Sequence, residues 1–223
     1  MKFLFLIFSS CFLFACSSTQ QAYIQNVKLY FDGQVGVSLS DQEIVDSPVD
    51  LLFIKSGQRP VATMALAFIE RGRYKWLSSD NAMLITENGR IVRSLGFKND
   101  LLAITNLSSD PLKTSFTGIG QSEVWQRYID SEPDQFGVVA RSKFNIESNK
   151  EIEIQGHLFT VDVVSENVMF DSVKHGKDEW QNTFWYHSET KKLLKSNQKV
   201  TPDGDVFDIT YVSRALRLLE PSK

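Results

Sequence analysis

Metal-binding patterns are missing from this chain. Its three histidines, His157, His175 and His187, fall into no HxH, HxxH or HExxH spacing, so a zinc site would need ligands gathered from remote segments. Asp203, Asp205 and Asp208 lack the Asp-x-Asp-x-Asp-Gly order and distal Glu of a calcium loop, and read better as a solvated turn. There is no Gly-x-Ser-x-Gly elbow, and Gly118-Ile119-Gly120 has neither the third glycine of a dinucleotide loop nor the lysine of a phosphate loop. The 27 Asp and Glu residues offer many chance carboxylate pairs, but no constellation that assigns an acid and a base. Charge of one sign is also lacking. A formal net charge of −3 with mixed signs gives no electrostatic footprint for nucleic acid. These absences predict a protein with no catalytic residues, no metal, no cofactor and no nucleic-acid partner.

Long apolar runs are scarce as well. The N-terminal one, Phe3 to Phe14, is shorter than the ~20 residues a membrane-spanning helix needs. With Lys2 ahead of it, residues 1–15 read as a signal peptide. Leu13-Phe14-Ala15-Cys16 resembles a bacterial lipobox, although Phe14 is bulkier than the usual residue there. Cysteine is nearly absent: Cys11 lies within the removed segment, so Cys16 remains alone and no internal disulfide can form. An unpaired cysteine in an exported chain needs an explanation, and lipidation supplies one. A diacylglycerol thioether and an N-acyl chain (palmitate) on Cys16 would anchor the protein durably. Residues 16–26 would be the lipidated Cys and a polar tether, and residues 27–220 one domain. Ser17 after the Cys, in place of Asp, implies the outer membrane by the sorting rule for such lipoproteins, with the domain facing the periplasm.

What the chain has in quantity is aromatic and β-branched residues in short alternating segments. Sixteen Phe and four Trp favour strands. Between Trp76 and Phe97, two apolar runs flank Asn88-Gly89, the strongest short hairpin signal, because both central residues of a type I′ turn need positive φ. Asn88, Gly89 and Arg90 are therefore expected to form a structural hairpin turn. Residues 49–55 and 61–70 are expected to pair, and Ser40-Asp41-x-Glu43 fits a capping box. A first strand is expected near Tyr23 to Phe31, and a loop over 106–122. Phe136, Val138, Ala140, Phe144 and Ile146 alternate with polar residues. Past Gln155-Gly156 the inward phase is expected to pass to Phe159, Val161 and Val163, with Ile152 opposite Phe159. Residues 182–187, 193–200 and 206–212 complete the pattern. The expected fold is mainly β: a single-domain antiparallel meander forming a barrel or half-barrel, with few short helices.

A family resemblance sits on these residues. Trp76 with Ser78-x-Asp80, the Asn88-Gly89-Arg90 turn, Ile91-Val92-Arg93 and Leu95-Gly96 resemble the YjbF/GfcB lipoproteins of capsule and exopolysaccharide gene clusters. Asn182-Thr183-Phe184-Trp185, Lys195-Ser196 and Gln198 are similar to that family's C-terminal half. The resemblance implies a non-enzymatic outer-membrane lipoprotein serving polysaccharide assembly or export, with polysaccharide or export-machinery proteins as partners. Trp76, Trp185 and Tyr186 are the main candidates to stack on sugar rings, with Trp125, Trp180 and Tyr128 behind them; each competes with plain core packing. A second reading is open. Phe184 to His187 followed by Leu193 to Ser196 resembles the LolA/LolB-like half-barrels, which carry acyl chains in an apolar concavity. A deep, dry cavity would favour lipid. A shallow groove with exposed aromatic and acidic or amide groups would favour sugar.

Overall fold

The computed structural model describes residues 39–114, 124–172 and 176–219. Cys16, the signal segment, the tether and the strand expected near Tyr23 lie outside the described residues, as do residues 115–122 of the loop expected over 106–122.

Turn chemistry sets the architecture. Asn88 (φ 50°) and Gly89 (φ 87°) both occupy the left-handed region and join β4 (Met83–Glu87) to β5 (Arg90–Leu95) in two residues. Gln155 (φ 53°) and Gly156 (φ 78°) do the same between β8 (Gln135–Ile154) and β9 (His157–Ser172), and Ile152 pairs with Phe159 as expected. Arg71 (φ 51°) and Gly72 (φ 79°) make a third such turn, between β2 (Ala62–Glu70) and β3 (Arg73–Ser78). The remaining strands are β1 (Leu51–Ser56), β6 (Leu101–Ile104), β7 (Trp125–Ser131), β10 (Gly176–His187), β11 (Leu193–Lys199) and β12 (Val206–Thr210).

These strands form one antiparallel sheet in the order β5-β4-β3-β2-β1-β12-β11-β10-β9-β8-β7-β6. Each strand pairs with its sequence neighbour except across β5 and β6, while β1 pairs with β12 through Phe53–Thr210 and Ile54–Ile209. The result is a nearly closed barrel whose open seam lies between β5 and β6. Side chains stitch that seam where a ladder would otherwise run. Ser94 Oγ donates to Asp100 Oδ1 (2.6 Å) and accepts from the Leu101 amide (2.9 Å), while Asp100 also accepts from the Gly96 amide (2.7 Å). Gln198 of β11 reaches the free edge of β5, accepting from the Ile91 amide (3.0 Å) and donating to the Gly89 carbonyl (2.8 Å). Edge groups left bare would cost free energy and invite other strands.

Two short helices attach to the barrel. In α1 (Asp41–Val45) the Ser40 and Glu43 pair forms the expected capping box. In α2 (Val212–Leu216), Ser213 Oγ accepts from the Leu51 amide at 2.8 Å and fixes the helix to the start of β1.

Two phase expectations fail locally. Phe136 is 68% exposed, because Gly137 at φ 62° breaks the alternation and the inward register begins only at Val138. The face expected through Phe159, Val161 and Val163 holds for the first two, but Val164 takes the next inward position. A bulge between Glu147 and Lys150, with Asn149 at φ 57°, shifts the register there.

A Cβ at Gly89 would overlap Leu193 Cδ2 in a backbone conformation that β-branched residues rarely adopt. Gly89→Val is expected to lower stability by about 1–3 kcal/mol. A urea midpoint equal to that of the wild type would contradict the tight turn.

Candidate functional site

Strand alternation brings charge into the barrel. Trp125, Arg127 and Ile129 face inward on β7, as do Val164, Glu166, Val168 and Phe170 on β9. Glu166 sits between Phe144 and Asn182 in the sheet register, and Arg90 enters from the start of β5. Arg90 Nη1 donates to Glu166 Oε2 (2.8 Å), and its Nε and Nη2 grip the two oxygens of Asp110 (2.5 and 3.0 Å). Arg127 Nη1 lies 3.1 Å from Glu166 Oε1, and Ser142 and Asn182 donate to the same carboxylate (2.6 and 3.0 Å). Both guanidinium carbons stand 4.4 Å from the Trp125 ring. Two cations and two anions thus balance inside a core of aliphatic and aromatic side chains.

This network controls ionisation. Burial pushes the Glu166 carboxyl up, but Arg90 and Arg127 outweigh it and hold the group down at about 2. Burial lowers Arg127 to about 10, against the pull of Glu166, while Asp110 and Glu166 overcome burial and raise Arg90.

The network also holds one wall of an open pocket. Asp110 Oδ1 accepts from the Leu112 amide (3.0 Å), pinning the short 3-10 turn Pro111–Thr114 and with it Lys113. Facing Lys113 across a pocket of about 390 Å³ are the Asn88-Gly89 turn, Lys191 and Lys192 from the β10–β11 turn, and Arg214 and Arg217 from α2 and its end. Among the described residues, Asp50 is the only acid in the lining. It is held by Arg217, while Lys191 donates to Asp162 (2.6 Å) and Arg214 to the Leu193 carbonyl (2.8 Å). Among the described residues, the exposed Lys113 and Lys192 have no acidic partner. Tyr74, Tyr186 and Tyr211 also line it, with Thr86, Leu112 and Leu193, and burial raises the pKa of Tyr186 and Tyr211 so that they stay neutral.

The expected stacking residues separate. Trp76 is 1% exposed and donates from Nε1 to Thr86 Oγ1 (3.1 Å), so it is core and cannot face a sugar. It stacks on Tyr74 (6.4 Å, 15°) and meets Tyr211 edge-on (5.8 Å, 63°), supporting two of the pocket tyrosines from beneath. Tyr186 is 6% exposed, its ring in the core, which corrects its expected role as an exposed platform; it reaches the pocket only as part of the lining. Trp185 lies between buried Phe184 and Tyr186 and is half-exposed, with Lys195 Nζ 5.6 Å from its ring, away from the pocket. Of the others, Trp125 is buried, Trp180 half-buried and Tyr128 exposed. Asn88 and Gly89 line the pocket as well as turning the hairpin. Arg90, expected only as a turn residue, is the centre of the charge network. Asp110, Arg127 and Glu166 carried a readable sign for the last two, a charge in an inward strand position, which sequence reasoning passed over.

A family model described as "Group 4 capsule polysaccharide lipoprotein gfcB, YjbF" matches residues 24–212. The chain belongs to the YjbF family. Two Escherichia coli K12 members are uncharacterized lipoproteins. GfcB is 30% identical over 218 residues, covering 96% of this chain and 100% of GfcB. YjbF is 31% identical over 213 residues, covering 94% and 97%. The crystal structure of the hypothetical lipoprotein YmcC from the same strain superposes with a TM-score of 0.74 at 28% identity, covering 90% of this chain and 96% of that one. The expected family and β-barrel class are therefore both found. In this YjbF-family barrel the pocket lies over a charge-filled interior, not over an empty one.

Because the folded Glu166 pKa lies below its unfolded value, its contribution is present above the ordinary carboxylate range and disappears as pH falls through about 2. That shift corresponds to about 3 kcal/mol. Glu166→Gln should cost about 3–5 kcal/mol at pH 7, since it leaves buried cations poorly matched. It should also flatten the loss of stability between pH 4.5 and 2, and urea midpoints across that range will read both effects.

Proposed function

We propose that this protein is a non-enzymatic accessory lipoprotein of capsule or exopolysaccharide assembly and export. It is anchored in the outer membrane through Cys16, faces the periplasm, and binds polysaccharide at the barrel-mouth pocket. The observation that carries this reading is the pocket itself: open, polar, tyrosine-bearing and cationic, and supported by the buried network. Membership of a family described by capsule polysaccharide lipoproteins supports it. Proteins of the export machinery are the natural second partners. The pocket departs from expectation in one respect, since beside Asp50 and the Asn88 amide its charged groups are mostly basic where acidic or amide groups were anticipated.

The acyl-carrier reading loses support because the mouth pocket of about 390 Å³ is lined by charged and polar groups, while the recesses deeper in the barrel are small. Among the described residues, the cavity beside Arg90 and Arg127 measures about 10 Å³, room for one water at most. A recess at Ile54, Met64 and Phe97 reaches about 60 Å³. An acyl chain needs a site of roughly 300 Å³ or more, mostly apolar.

Two experiments test the proposal. Cys16→Ser should leave an unprocessed or soluble precursor, and unchanged membrane fractionation would remove the anchor. The full lipoprotein in detergent, titrated calorimetrically with the polymer of its own organism, should bind saturably in the micromolar to millimolar range without shortening the chains, as modest stacking and polar contacts predict. Uptake of a fluorescent fatty acid with indifference to the polymer would return the carrier reading to first place.

A further inference from the structure

We propose that the mouth pocket selects anionic sugars, with Lys113 and Lys192 as the cations that meet a carboxylate of the uronic-acid type. This rests on the polysaccharide reading above and adds the ligand's charge. Among the described residues, five basic side chains and one acid line the pocket. The partners that neutralise or occupy Lys191, Arg214 and Arg217 are fixed by the fold: Asp162, the Leu193 carbonyl and Asp50. Among the described residues, Lys113 and Lys192 are left over. They approach from separate elements, a 3-10 turn after β6 and the β10–β11 turn, yet line one pocket.

The leftover charge is held in position rather than carried on loose chain. Lys113 lies three residues after Asp110, whose carboxylate is clamped by buried Arg90. The volume, about 390 Å³, falls within the roughly 300–1,000 Å³ of small-molecule sites. Half-buried Tyr74, backed by Trp76, offers a ring surface to the body of a sugar, and neutral Tyr211 and Tyr186 lie beside it. An inorganic anion would use only the lysines. A charged pyranose uses the lysines and the aromatic surface together.

The full lipoprotein in detergent micelles can be titrated with an α-1,4-oligogalacturonide and with the same oligomer fully methyl-esterified. The acid form should bind, and the neutral ester about three- to tenfold more weakly, the scale of two exposed charge contacts. The double variant Lys113→Gln/Lys192→Gln should lose the preference and keep the wild-type unfolding midpoint, because both side chains are exposed. Raising salt from about 50 to 500 mM should weaken only the acid form. Equal binding of acid and ester would overturn the charge selection while leaving polysaccharide binding intact. An unchanged preference in the double variant would move the site elsewhere and overturn the assignment. If neither oligomer binds, the proposal falls; binding of the organism's own polymer in parallel would then decide whether the broader reading survives. Lysine-dependent binding to phosphatidylglycerol vesicles, with none to the oligomers, would identify a lipid headgroup and overturn the sugar.

Discussion

The buried pairing of Glu166 with Arg90 and Arg127 is the constraint on which the rest of the barrel depends. A twelve-stranded meander encloses more space than its side chains fill cheaply, and an apolar filling would have left a cavity or a lipid site. Here opposite charges, hydroxyls and amides occupy the middle. Ser142 and Asn182 complete the carboxylate's hydrogen bonds, and Trp125 packs against both guanidinium groups. Removing one member of such a network leaves a buried charge unpaired, which costs about 3–5 kcal/mol. Through Asp110 the network also reaches the loop that carries Lys113, which links the interior to the mouth.

That link explains the division within the molecule. Inside, charge is balanced and sealed. At the mouth, charge is unbalanced and open to solvent, and the turn residues Asn88 and Gly89 belong to both regions, since Arg90 follows them directly. A hairpin that sequence reasoning treats as scaffold is thus also part of the site.

Much of the sheet was legible because turn chemistry is local. Asn88-Gly89 and Gln155-Gly156 gave their hairpins and, for the second, the correct pairing of Ile152 with Phe159. The Ser40–Glu43 cap is equally local. Arg71-Gly72 makes the same turn but was not read as one, since arginine carries no preference for positive φ. Phe136 and Val163 were misplaced because one glycine and one bulge reset the period, and alternation cannot anticipate either. The site was much less legible. Lys113, Lys192 and Arg214 are ordinary surface residues in sequence, brought together only by sheet order. Trp76 and Tyr186 invited a binding role by their type, yet inward register buries both.

The pairing of β1 with β12 has a consequence for how such a chain comes to exist. Phe53 pairs with nearby Thr63 on one side but with Thr210 on the other, so the two halves of the sheet cannot join until nearly the whole polypeptide is available. Contacts this distant in sequence form slowly, after the loop between them has paid its closure entropy. A chain emerging from its N-terminus can zip β1 through β5 and then wait, with the outer edge of β1 unsatisfied. A chain that ends before Val206 leaves that edge and the edge of β11 open together, two ready templates for another strand. The last strand is therefore the clasp of the barrel, and the interval before it arrives is when the protein is most exposed to pairing with the wrong neighbour.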